Sequence, residues 1–139
     1  MNGPVLVDSS VWIDHFRDRS SPAARQLAHW LAEEPDCIVV NGVVLCELLR
    51  CMRSEAAATR LMGALDKLPQ AEAVSCADWL LSAGIYRRCR GAGLTIRSSM
   101  DCLIAAHAIR LNLPLLAVDR DFDAIATQAP LTLHSSTAV

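Results

Sequence analysis

The chain has 139 residues, 53% of them hydrophobic, with 13 basic and 15 acidic side chains and a formal net charge of −2. That length suits one domain with a sizeable core, and the slightly acidic balance argues against a protein that coats nucleic acid non-specifically. No apolar run reaches the about 18 residues of a membrane span, and the start MNGPVLVDSS lacks the basic-then-apolar pattern of a secretion signal. The expectation is a cytoplasmic protein without membrane contact.

In chain order, Pro4-Val5-Leu6-Val7 is a short apolar run ending at Asp8, which predicts a buried strand. Ser9 to Arg17 reads as helix, and Pro22 to Glu34 as another, with Ser21 as cap and Pro22 at the first helical position. Cys37-Ile38-Val39-Val40 predicts a second buried strand, after which Asn41 caps a helix running through Glu47 to about Arg53. Helix resumes from Ser54 to about Leu68, where Pro69 stops it, and Ala71 to Val74 predicts a third strand. Ser75-Cys76-Ala77-Asp78 has the capping-box pattern and opens a long helix to about Arg90, ended by Gly91 and Gly93. Ser98 opens a helix through about Leu111, closed by Asn112 and Pro114. A strand over Leu115–Val118, a short helix over Asp119–Gln128 and an edge strand over Leu131–Leu133 complete the chain. Strands alternating with helices predict an α/β sandwich around a mainly parallel sheet.

Six cysteines (Cys37, Cys46, Cys51, Cys76, Cys89 and Cys102) lie in apolar or helical segments with no C-x-x-C pair, which reads as buried reduced thiols. The four histidines do not cluster with them at zinc-ligand spacing. Twelve of the thirteen basic residues are arginine. Arginine is the better planar donor to phosphate and carboxylate, but a GC-rich genome gives the same bias.

The acids carry the chemistry. Ligand sites of open parallel sheets form outside the carboxyl ends of the strands. Asp8 follows the first strand and Asp119 the fourth; Glu47 lies in the helix after the second strand, and Asp101 in the first turn of another helix. Four acids from distant segments meeting at one sheet end need a cation to relieve their repulsion, and an all-oxygen set suits Mg²⁺ or Mn²⁺. Each also has a structural alternative. Asp8 and Asp119 read as helix N-caps, and Asp101 as the partner of Ser98 in a capping box. Glu47, among Val43, Val44, Leu45, Leu48 and Leu49, is a costly lone carboxylate unless Arg50 or Arg53 pairs with it. Asp121 and Asp123 fall in the first turn of the last helix, where acids favour the helix dipole. Asp121 is a possible helper through water, and Asp123 a surface residue.

Val5–Arg17 (VLVDSSVWIDHFR), Glu47 in VVLCELL, Ala83–Arg110 (AGIYRRCRGAGLTIRSSMDCLIAAHAIR) and Asp119–Ala126 (DRDFDAIA) together give the chain its family likeness. It resembles the PIN-domain ribonucleases, specifically the VapC toxins of bacterial toxin–antitoxin pairs, mycobacterial-type members above all. The resemblance covers nearly the whole chain and implies a single PIN domain over residues 1–139. The implied fold is a PIN-like three-layer α/β/α sandwich with a mainly parallel four- to five-stranded central sheet. The implied activity is Mg²⁺-dependent endoribonuclease cleavage of cellular RNA, often tRNA or other structured RNA, with Mn²⁺ as a substitute. The implied partners are RNA and a VapB-type antitoxin, in a homodimer or a toxin–antitoxin hetero-oligomer in the bacterial cytoplasm.

The family's acidic quartet falls on Asp8, Glu47, Asp101 and Asp119, with Asp8, Asp101 and Asp119 as metal ligands and Glu47 orienting or deprotonating water. The family's hydroxyl falls on Ser9 or Ser10, taken here as Ser10 toward substrate. For the substrate phosphates, Arg87, Arg88, Arg90 and above all Arg97 lie near Asp101 in sequence. Helices of the first half offer Val11, Trp12, Phe16, Leu45, Leu48, Leu49 and Met52 as a groove for a partner helix; ordinary core packing must claim most of them, with Trp12 and Phe16, one helical turn apart, first among those shared with a partner. The alternatives are a non-catalytic PIN-fold binding module and a metal-dependent phosphatase. The D-x-D that a haloacid-dehalogenase-type phosphatase needs is replaced by Asp8-Ser9-Ser10.

Overall fold

The apolar runs at the start, before Asn41 and after Pro114 do converge on one sheet. In the computed structural model, which describes residues 3–137, they form β1 (Val5–Val7), β2 (Ile38–Val39) and β3 (Leu115–Leu116), all parallel, in the order β2-β1-β3. Val5 pairs with Ile38, Leu6 with both Val39 and Leu115, and Val7 with Leu116. All seven strand residues are buried. Strands read as unbroken apolar runs where helices cover both sheet faces.

From β1 the chain passes through α1 (Ser9–Phe16) and α2 (Pro22–Glu33) to β2. It returns through α3 (Gly42–Arg50), α4 (Glu55–Leu65), α5 (Cys76–Gly91) and α6 (Ser99–Arg110) to β3, and α7 (Asp121–Gln128) follows. These two connections cross the sheet in opposite directions. Because parallel crossovers are right-handed, they place their helices on opposite faces, which gives the three layers. The reversal of direction lies between β1 and β3, where ligand crevices of such sheets form.

The expected four- to five-stranded sheet is a sheet of three. The outer segments add only single parallel bridges, Val40 to Gln70 and Leu115 to Leu133. Ala71–Val74 is not a strand because α6 takes its backbone carbonyls: the Glu72 carbonyl meets His107 Nε2 at 2.8 Å and the Ala73 carbonyl accepts from Arg110 Nη2 at 3.1 Å. Leu131–Leu133 cannot extend because the Leu131 N–H turns back to the Ala129 carbonyl (2.8 Å) behind Pro130.

Every predicted helix forms, with shifted ends. Asn41, Ser54 and Ser75 cap α3, α4 and α5, the last through a full capping box with Asp78. α3 stops at Arg50, short of Arg53. α4 stops at Leu65, where the Gln70 side chain donates to the Leu65 and Leu68 carbonyls. α7 begins at Asp121, leaving Asp119 in the turn beyond β3. All six cysteines are free, but only Cys37, Cys89 and Cys102 are buried; Cys46, Cys51 and Cys76 are exposed, contrary to the uniform burial expected. Among the described residues no helix is long and apolar enough to cross a membrane.

α6 is buried all round from Asp101 to Ala108, as expected for a helix in the middle of a core. Two side-chain pairs tie it to neighbouring helices. His107 Nδ1 lies 3.0 Å from Asn41 Nδ2, while Asn41 Oδ1 caps α3, so one side-chain pair joins the starts of α3 and the body of α6. Arg110 Nε donates at 2.7 Å to Asp78, which is fully buried and also accepts the Ser75 N–H. Burial pushes the Asp78 carboxyl up, but the hydrogen bonds from Arg110 and Ser75 and the Arg110 charge outweigh it and hold it below its ordinary value of 3.8.

Arg110→Ala strands that buried carboxylate and should lower the stability of the folded protein. Urea unfolding at neutral pH should show this loss. Because the folded carboxyl titrates below its unfolded value, the Asp78 contribution is present above the unfolded value and disappears as pH falls through the folded one. The variant and wild type should therefore converge in stability in strong acid. An unchanged midpoint at neutral pH would remove this pair from the tethers of α6.

Candidate active site

Asp8 follows β1 directly and is 2% exposed. Its Oδ2 caps α1, accepting the Ser10 N–H at 3.0 Å and the Ser10 hydroxyl at 2.5 Å. The cap reading thus holds for one oxygen. The other, Oδ1, is buried without a hydrogen-bond partner. The Ser10 Oγ also accepts the Val118 N–H at 3.2 Å, which stitches the end of β1 to the chain leaving β3. Both serines therefore reach an acid: Ser10 serves Asp8, and Ser9 donates to Glu47 Oε1 at 3.0 Å. Glu47 is half-buried on α3 and is held by this hydroxyl rather than by Arg50 or Arg53.

Asp101 is 6% exposed. The Ser98 hydroxyl caps α6 through the Met100 N–H at 3.2 Å instead of forming a box with Asp101, whose carboxylate accepts no hydrogen bond among the described residues. Oxygens of Asp101, Asp119 and Asp121 all lie within 4.8 Å of one another. Asp121 thus stands inside the acidic group, closer than a helper acting through water, while Asp123 is exposed as expected. Burial pushes the Asp101 carboxyl up to about 8, with repulsion from Asp8, Asp119, Glu47 and Asp121 adding to it. Burial likewise pushes Asp8 up to about 6, reinforced by Glu47 and opposed by the Ser10 hydrogen bonds. The acids predicted from distant segments thus lie near enough to repel one another at one end of the sheet.

A cleft of about 690 Å³ lies against it, lined by Ser10, Arg19, Arg97, Asp119, Arg120 and Asp121 among others. Arg97 Nη2 donates to Asp119 Oδ1 at 2.9 Å, and its Nε and backbone N–H donate to Asp121 Oδ2 at 3.4 and 3.0 Å. Arg87, Arg88 and Arg90 lie elsewhere. Arg87 lines a separate hollow with Trp79, Arg88 Nε donates to the Gln128 carbonyl, and Arg90 stacks over Tyr86. Sequence reasoning missed Arg19 and Arg120. Position next to Asp119 was a signal for Arg120; nothing local marks Arg19. The donor set is all oxygen, and Asp101 and Asp8 Oδ1 hold unclaimed lone pairs, so the residues fit a hard divalent cation.

A second hollow, about 360 Å³, is lined by Ile13, Phe16, Leu48, Met52, Arg17 and Arg53 among others. Phe16 is 48% exposed, whereas Trp12, expected beside it at a partner surface, is 2% exposed and belongs to the core beneath. Val11 is likewise core.

The PIN domain family model matches residues 5–128. Ribonuclease VapC11 of Mycobacterium tuberculosis is 38% identical over 122 residues, covering 88% of this chain and 91% of that protein. Among solved structures, VapBC-1 from nontypeable Haemophilus influenzae superposes with TM-score 0.72 at 17% identity, covering 96% of this chain and 98% of that one. A toxin–antitoxin complex from Klebsiella pneumoniae does so with TM-score 0.64 at 19% identity, over 85% and 89% of the two chains.

The raised carboxyls set the pH dependence of the metal-free protein. A carboxyl that titrates above its unfolded value of 3.8 binds its proton more tightly when folded. That contribution is complete below the unfolded value and is lost as pH rises through about 6 for Asp8 and about 8 for Asp101. In chelator, the melting temperature should fall as pH is raised from mildly acidic to mildly alkaline. Asp101→Asn should flatten that fall and melt several degrees above wild type at the alkaline end. Asp8→Asn should fold, since Asn still accepts the Ser10 donors. A pH-independent wild type, or an Asp101→Asn protein less stable than wild type, would contradict the crowding.

Proposed function

The chain belongs to the PIN-domain family, and from that premise we propose that it is a VapC-type toxin, a Mg²⁺-dependent endoribonuclease restrained by its own antitoxin. We read residues 1–139 as one PIN domain acting in the bacterial cytoplasm. The observation that carries the reading is the buried, unpartnered Asp8 Oδ1 in the same repelling cluster as Asp101, whose own carboxylate accepts no hydrogen bond among the described residues. Asp8, Asp101 and Asp119 are the proposed metal ligands, and Asp121 joins them by its proximity to Asp101 and Asp119. A divalent ion held there, Mg²⁺ or in its place Mn²⁺, supplies charge for the phosphate oxygens in the transition state and an acidified water.

The rest falls to the chain's own side chains. Glu47, held by the Ser9 hydroxyl, accepts the proton of the attacking water. The Ser10 hydroxyl, engaged by both Asp8 and Val118, positions Asp8 rather than gripping substrate. Arg19 and Arg120 line the cleft without touching the acidic trio and meet the RNA phosphates, with Arg97 beside them. The substrate is cellular RNA, tRNA or another structured RNA, whose exposed loops present a phosphodiester to so recessed a site.

The hollow between α1 and α3, apolar at Ile13, Phe16, Leu48 and Met52 and basic at Arg17 and Arg53, suits an amphipathic helix of the antitoxin. The likeness to a Klebsiella toxin–antitoxin complex supports such pairing. An arginine of that antitoxin, reaching the acids, would stand where the metal binds.

Purified protein should cleave RNA with Mg²⁺ or Mn²⁺ and not in chelator, and Asp8→Ala should lose at least about a hundredfold in rate. Arg120→Ala should raise KM several-fold with kcat little changed. Sequencing of 5′ ends after brief expression, against an Asp101→Ala control, identifies the RNA and the bond. Equal cleavage in chelator rules out the metal mechanism, and hydrolysis of small phosphate monoesters without RNA cleavage would favour a phosphatase.

Mixed with the product of the adjacent small reading frame, the protein should lose activity and elute as a hetero-oligomer, and Phe16→Asp should weaken that complex at least tenfold. Full activity and separate elution would defeat the antitoxin reading; a complex without any RNase activity in the free protein would mark a binding module.

A further inference from the structure

We propose that Arg97 is a built-in counter-ion of the acidic centre: it occupies Asp119 and Asp121 in the metal-free protein and yields them when a divalent cation binds. The proposal rests on the metal-centre reading above and adds an exchange step to it.

The guanidinium and a divalent cation compete for the same two oxygens, Asp119 Oδ1 and Asp121 Oδ2, while the second oxygen of each carboxylate accepts no hydrogen bond among the described residues. Asp119 Oδ1 accepts both the Asp121 N–H (3.0 Å) and Arg97 Nη2 (2.9 Å). Asp121 Oδ2 accepts both the Arg97 backbone N–H (3.0 Å) and Arg97 Nε (3.4 Å). A carboxylate oxygen has two lone pairs, so each of these oxygens is filled, and in each case one donor is backbone and the other is the guanidinium. The backbone donors cannot leave without unmaking the start of α7 or the turn before α6. Only the guanidinium is removable, and a cation that ligates these oxygens must displace it.

The setting favours displacement. The Arg97 side chain is 73% exposed, so it leaves without opening the core. Its backbone is pinned between Ile96, 5% exposed, and Ser98, the cap of α6. Asp121 therefore keeps its Arg97 N–H after the side chain has gone. The freed guanidinium remains tethered at the wall of the 690 Å³ cleft that Arg19 and Arg120 also line. It is there a third cation for a phosphate. Metal binding and the readiness of Arg97 for substrate are thus coupled through the same oxygens.

Mn²⁺ titration followed by the electron paramagnetic resonance of the free ion, at fixed pH and ionic strength, tests this. Arg97→Ala should bind Mn²⁺ about two- to fivefold more tightly than wild type, the gain that loss of one exposed ion pair allows. Arg97→Lys keeps the charge but not the fork and should show most of that gain. Arg120→Ala removes a positive charge beside the same acids that makes no ion pair with them among the described residues, and should gain clearly less than Arg97→Ala. In a Glu47→Gln background that does not cleave, Arg97→Ala should weaken RNA binding several-fold with Mn²⁺ and leave it unchanged in chelator.

Wild-type and Arg97→Ala proteins that bind Mn²⁺ equally, or tighter binding by wild type, overturn the exchange while leaving the metal centre intact. An equal gain in Arg120→Ala, or none in Arg97→Lys, reduces the effect to the field of one charge and also overturns it. No Mn²⁺ binding by any of the proteins brings down the metal-centre reading and this proposal together.

Discussion

Like-charge crowding at the carboxyl end of the sheet is the constraint on which the site depends. Five acids, Asp8, Glu47, Asp101, Asp119 and Asp121, come from four separate parts of the chain, and burial together with their mutual repulsion pushes Asp101 up to about 8. Folding alone does not relieve that repulsion. Two serine hydroxyls, the backbone N–H groups at the starts of α1 and α7, and one arginine offset part of it. Asp101, the most perturbed of the group, receives no such help among the described residues. The protein thus carries an unmet electrostatic demand, and stability is given up where chemistry is needed.

Holding that arrangement requires rigid supports. Asp101 sits on α6, the helix buried along most of its length, and α6 is tied to α3 by the Asn41–His107 contact and to α5 by the Asp78–Arg110 pair. α3 carries Glu47, and its packing against both α1 and α6 keeps that glutamate near enough to Asp8 and Asp101 to repel both. Buried polar groups are costly when unsatisfied. In these tethers each is satisfied, so they fix the register of one helix on another where apolar packing alone tolerates sliding.

How much of this was legible in the sequence follows from which interactions are local. Caps at Ser21, Asn41, Ser54 and Ser75 act within three residues, and their patterns are visible in the chain. The four principal acids were legible because strand ends and helix starts place them by topology. Asp121 was undervalued: its closeness to Asp101 depends on the exact start of α7, two residues later than the pattern suggested. Ser9 and Ser10 could not be separated in the sequence because both act, on different acids. The strand over Ala71–Val74 failed because Glu72 and Ala73 give their carbonyls to His107 and Arg110, more than thirty residues away, and no local propensity reports such a contact. Trp12 failed for a similar reason, since amphipathic spacing does not say which side of α1 faces α2.

A sheet of three short strands has two long-exposed margins by default, and a margin with free N–H and C=O groups is a template for adding a strand from another molecule. Here each margin is closed by a single crossing of chain. Val40 exchanges hydrogen bonds with Pro69 and Ala71 on one side, and Leu115 with Thr132 and His134 on the other. A proline stands at or close to each crossing, at Pro69 and Pro130, and, having no N–H to add to the ladder, helps keep the pairing short. The bridges are too short to count as strands, yet they terminate lateral growth of the sheet on both sides. Self-association through these margins is thereby discouraged.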